Sequence, residues 1–114
     1  MSKLFAQGDV LLERVGDLVP SGQMIPPDTD GAYVLAEGET TGHRHAIHES
    51  VNFFRDDGLA RDIASDLYIG HVRVDEPEAL LVHEEHAPIA LPRGTYRVRR
   101  QRELEPRDAR VVAD

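Results

Sequence analysis

The sequence contains no cysteine. That excludes disulfides, iron–sulfur clusters, thiolate zinc sites and cysteine nucleophiles, so a bound metal would have to rely on histidine and carboxylate. Tryptophan is absent as well, and three Phe and three Tyr make up the aromatic complement. That is too sparse for a platform on which nucleic-acid bases stack. No apolar run approaches the length of a membrane span. Polar residues follow Met1-Ser2-Lys3-Leu4-Phe5 at once, so no signal peptide is expected and the cytoplasm is the expected location. Positive charge is also short. A formal net charge of −8 repels phosphate backbones and anionic membrane surfaces, which sets aside nucleic acid and membrane as partners. The late basic residues Arg93, Arg97, Arg99, Arg100 and Arg102 read as a solvated strand face balanced by neighbouring acids.

What is present fits a single folded domain over residues 1–114, with 40% hydrophobic and 30% charged residues. A core this small gains from a closed barrel or from pairing as a homodimer. Strands are predicted for Gly8 to Val15, Ala32 to Ala36, His43 to Phe54, Leu67 to Val74, Ala79 to His83, Pro88 to Leu91 and Thr95 to Gln101. The prolines and Asp/Gly positions of Val19 to Asp30 mark a loop. Arg55 to Asp66 allows one or two helical turns. Asp75-Glu76-Pro77-Glu78 and Pro92-Arg93-Gly94 are read as turns, and Val111 with Val112 as a final short strand. Seven or eight short strands with closely spaced turns predict an all-β barrel or sandwich.

The chemistry is concentrated in histidine. In a strand, His43 and His45 lie on one face about 6.6 Å apart along the chain, so both can lean toward one ion. Ile47, Glu49, Val51 and Phe53 continue that face as an apolar interior, leaving Arg44, Ala46, His48, Ser50, Asn52 and Phe54 mostly toward solvent. Glu49 would be a ligand or would orient a histidine. The second cluster is His83-Glu84-Glu85-His86. A straight strand would bring one of its histidines to the site; a bend near His86, favoured by Ala87 and Pro88, would bring both. Glu84 and Glu85 read as rim charges, either of which could serve as a base near a metal-bound water. His71 is placed at the surface or an interface, and His48 on the outer face. The candidate ligands are thus His43, His45, Glu49, His83 and His86, and the candidate ions are divalent transition metals, Zn, Fe, Mn, Ni or Cu. No phosphate-binding glycine loop or serine nucleophile elbow is present, and His83 and His86 are too close for the helical zinc-protease signature.

At these residues the chain resembles the cupin superfamily. His43, His45 and Glu49 match the ligand core of its first motif, and Pro92 with Gly94 match the turn of its second. Arg97 stands where the second motif carries a histidine, so His83 or His86 would have to supply that ligand. The chain also resembles an uncharacterised bacterial family of small proteins. The shared elements are Gln7 to Leu12, Gly38 to His45, His83 to Val98 and Arg100 to Glu103. The cupin resemblance implies a β-barrel metalloenzyme acting on a small polar molecule. The other reading is a non-enzymatic module whose histidines order a loop or bind a partner protein.

Overall fold

Residues 3–37 and 42–101 are described by the computed structural model. The expected strand at Val111 and Val112, the Gly38 to Thr41 part of the glycine–histidine element, and Arg102 with Glu103 lie outside these residues. Eight strands form one antiparallel sheet: β1 Leu4–Gln7, β2 Val10–Gly16, β3 Gln23–Met24, β4 Tyr33–Glu37, β5 Arg44–Ile47, β6 Asn52–Arg55, β7 Tyr68–Val82 and β8 Ile89–Arg100. A single 3-10 turn at Asp57–Leu59 falls inside the segment expected to carry helical turns. No helix among the described residues is long and apolar enough to cross a membrane.

The sheet order is β1-β2-β8-β7-β5-β4, with β3 paired to β6 and β6 to β7. The long strand β7 is the organiser. Its first half pairs with β6 (Phe53 opposite Val72) and its second half with β5 (Ile47 opposite Leu81). Its other edge pairs with β8 along nearly the whole length. The sheet also curls. β1 and β5 are four strands apart, about 19 Å across a flat sheet, yet Gln7 of β1 hydrogen-bonds His45 of β5 at 2.9 Å. The curl encloses a core of Val10, Leu12, Ile47, Val72, Leu81 and Tyr96, with neighbours including Phe53, Leu91 and Val98. Tyr96 and Val98 point inward as the alternation predicts.

Three features of the strand pattern differ from expectation. The 75–78 segment is not a hairpin turn. β7 runs through it, and β8 runs through Pro92-Arg93-Gly94, with a register shift between the Val74–Gly94 and Glu78–Pro92 pairs. Pro77, which has no N–H to give a ladder, sits in the bulged stretch where none is required. Secondly, His43 to Phe54 is two strands, β5 and β6, separated at residues 48–51. The parity survives the break, with Ile47, Val51 and Phe53 all in the core, but the opposite face is covered as well, so Phe54 and Ala46, expected to face solvent, are buried.

His71 is the third. It is 1% exposed, not a surface residue. It lies on the face of β7 opposite Val72, where Phe54 stacks on it at 5.4 Å between ring centroids. The Tyr68 hydroxyl meets His71 Nδ1 at 2.7 Å and accepts the Asp56 amide at 3.1 Å. Burial, reinforced by the nearby Arg97 guanidinium, holds the His71 imidazole below its ordinary pKa.

Candidate metal centre

Continuous pairing of β7 with β8 makes residues 83–88 the tip of one long hairpin, so His83-Glu84-Glu85-His86 is its turn. The Ala46–Val82 pair between β5 and β7 then sets that turn beside His43 and His45. Two segments about forty residues apart in sequence thereby place four imidazoles together. Ring centroids lie 5.6 Å apart for His43 and His83, 4.4 Å for His45 and His83, and 4.7 Å for His83 and His86. His45 and His86 are near-parallel at 6.2 Å.

Within this group His43, His83 and Glu84 each present a ligand atom within 4.8 Å of the others. Each of the three is positioned differently. Glu84 Oε1 accepts the Arg44 amide at 2.9 Å, which pins the hairpin tip to β5 and holds the carboxylate below its usual pKa range. His43 Nδ1 is buried with no hydrogen-bond partner among the described residues; the nearest acid oxygen, Glu85 Oε2, is 3.7 Å away. A buried ring nitrogen without a partner is costly unless something is bound to it. His83 Nδ1 accepts the Glu85 amide at 3.0 Å. An ion bound to His83 would displace either that amide from Nδ1 or the proton from Nε2. Two imidazoles and one carboxylate fit a divalent transition metal and leave a tetrahedral position open.

His45 is 1% exposed and sits against this set, with its tautomer fixed by Gln7. The Gln7 amide nitrogen donates to the carbonyls of Leu81 (2.9 Å) and Ala87 (3.0 Å). Its oxygen therefore faces His45, and Nδ1 of the imidazole must donate to it. That leaves the Nε2 lone pair free, 3.7 Å from Asp9 Oδ1. Burial first, then the neighbouring His83, push the His45 imidazole down to about 4, with Asp9 pulling the other way. The ring is thus neutral at pH 7 and able to ligate. Asp9 is held by Arg100 on its second oxygen. Gly8, between Gln7 and Asp9, has φ +59, and a Cβ there would lie 2.9 Å from His86 Nε2 and 3.3 Å from His45 Cε1. Glycine lets the β1–β2 turn close onto both rings.

Of the expected ligands, His43, His45, His83 and His86 come together. Glu49 does not join them: its Oε1 accepts the Leu80 amide at 3.1 Å. The break after β5 ends the strand before Glu49 can share the face of His45. Arg97, at the cupin histidine position, is paired with Glu13 and Asp62. Gln7 and Asp9 were not anticipated as site residues. Their signal was the Gly-Asp turn between two apolar runs, a hairpin mark that puts both flanking side chains at one end of the sheet. His48 is exposed, as expected.

Neither the curated proteins nor the solved structures contain a match to this sequence. The model of a family described as a domain of unknown function (DUF8820) matches residues 6–101, from Gln7 and its neighbours through the whole histidine turn to the end of β8. The chain belongs to that DUF8820 family.

Proposed function

We propose that this protein binds one divalent transition metal through His43, His83 and Glu84, with His45 and His86 beside the ion. The observation that carries the reading is the approach of those three ligand atoms to within 4.8 Å of one another, with His43 Nδ1 buried and unpartnered. The imidazole-rich donor set favours zinc, iron, manganese or nickel over the oxygen-loving cations. Three protein ligands suit an ion that keeps a position for water or substrate, and the resemblance to cupins supports a metalloenzyme acting on a small polar molecule. When bound, the ion would supply Lewis acidity. His45, neutral and held by Gln7, keeps its Nε2 lone pair free, 3.7 Å from Asp9 Oδ1. Elemental analysis of untagged protein is expected to give about one metal per chain, and His43→Ala with His83→Ala to abolish it. Sub-stoichiometric metal that survives both substitutions would overturn the proposal.

A structural ion is the competing reading, favoured by the way Glu84 ties the hairpin tip to the Arg44 amide. Thermal melting with and without chelator separates the two. A large loss of stability on chelation marks a structural ion, and a small one an open, reactive ion.

A further inference from the structure

An open pocket of about 260 Å³ lies beside the metal ligands, lined by Arg44, Ala46, His48, Val82, His83 and Glu84. The alternation of β5 explains it. Arg44, Ala46 and His48 share the face opposite His45. Ala46 and its cross-strand partner Val82 make an apolar floor. His83 and Glu84, two of the three candidate ligands, form the wall. The pocket therefore reaches the ion's surroundings from outside the core, where a ligand can enter.

Arg44 supplies the recognition. Its Nη1 donates to Asp28 Oδ2 at 2.8 Å. That pair fixes the guanidinium, and no described residue accepts from Nε or Nη2. The free Nε–Nη2 edge is a two-donor fork of the kind that pairs bidentately with a carboxylate. The volume is just below the usual range of ligand pockets, which suits a small ligand.

Building on the metal reading, we infer that this pocket binds a short-chain organic acid. Its carboxylate pairs with the free edge of Arg44, its stem covers Ala46 and Val82, and its other end reaches the ion. The protein carries a net charge of −8, which opposes an anion at long range. Binding therefore needs the local charge of both the ion and Arg44, and the metal-free protein is expected not to bind.

Protein loaded with Co²⁺ and titrated with malonate provides the test, followed by the cobalt visible spectrum and by calorimetry. Malonate is expected to shift the spectrum of the wild type, and Arg44→Gln to weaken binding about tenfold or more, the worth of a charge-assisted fork. Arg44→Lys keeps the charge facing Asp28 while removing the fork; it guards against misfolding of the first variant and is expected to load cobalt normally yet bind malonate more weakly. If cobalt loads but malonate leaves the spectrum unchanged, or if both variants bind as the wild type does, the inference falls while the metal site stands. If cobalt fails to load, both fall.

Discussion

Replacing Gln7 by alanine should be among the most damaging single changes near the site, although Gln7 touches no candidate ion. Its amide makes three hydrogen bonds: to the Leu81 carbonyl, the Ala87 carbonyl and His45 Nδ1. Leu81 and His45 are almost fully buried, so water cannot replace the lost partner there. At about 1 kcal/mol per bond, rising where a buried group is left unpaired, the loss is about 3 kcal/mol. A chain of this size has a total stability of about 5–15 kcal/mol, so the variant should fold but unfold at clearly lower urea. Gln7→Glu separates geometry from size. A carboxylate still accepts from His45 Nδ1, but at neutral pH it turns an oxygen toward two carbonyls. It is expected to be at least as destabilised as alanine at pH 7 and to recover partly in acid, where the protonated group regains a donor. Nitrogen-15 NMR of the imidazoles reads the other half of the argument: His45 should be the Nδ1–H tautomer in the wild type. A loss under about 1 kcal/mol for alanine, or an Nε2–H tautomer at His45, would refute the reasoning.

Two further outcomes follow from the buried histidines. Metal-free protein is expected to lose stability as pH falls below about 6.5, because the unfolded chain takes up protons that the folded His45, at about 4, refuses. The sign is that of a depressed histidine pKa, with stability complete above the unfolded value and lost on the way down to the folded one. For His45 this amounts to about 2 kcal/mol between pH 7 and pH 5, with His71 adding in the same direction; urea titrations at the two pH values measure it, and equal midpoints would contradict it. Tyr68→Phe removes the hydroxyl shared by His71 Nδ1 and the Asp56 amide and is expected to cost about 1–3 kcal/mol while leaving metal content unchanged, since it acts on the opposite face of β7.

What the sequence made legible was local, and what it hid was set by pairing. The all-β class, the strands at β2 and β4 and the inward alternation of Tyr96 and Val98 follow from runs of β-branched and aliphatic residues. So does the pairing of His43 with His45 on one stretch, because it depends on only three residues. The failures occurred where proline and glycine carry two meanings. Pro77 and Gly94 mark turns in isolation, but in the ladder Gly94 pairs with Val74 and Pro77 falls in the unpaired stretch of a bulge, where both are tolerated. Local composition does not contain the partner strand, so it cannot distinguish the two cases.

That ambiguity is what decides the site. Read as two short hairpins, the 68–98 region would put Ala79 to His83 beside Leu67 to Val74 and carry the His83–His86 segment away from β5. Read as one bulged pair of long strands, it carries the same segment to a hairpin tip, and the β5–β7 pairing delivers it to His43. The bulge also shifts the parity of β7, so that Val72 and Val74 before it and Ala79 and Leu81 after it all face the core. Without that shift the apolar set beyond residue 78 would turn to solvent, the strand would not pack, and the histidine turn would have no fixed position. The histidine cluster therefore depends on a bulge roughly two turns of side-chain alternation away, which is why the sequence could name the four histidines but not fix how many of them reach one site.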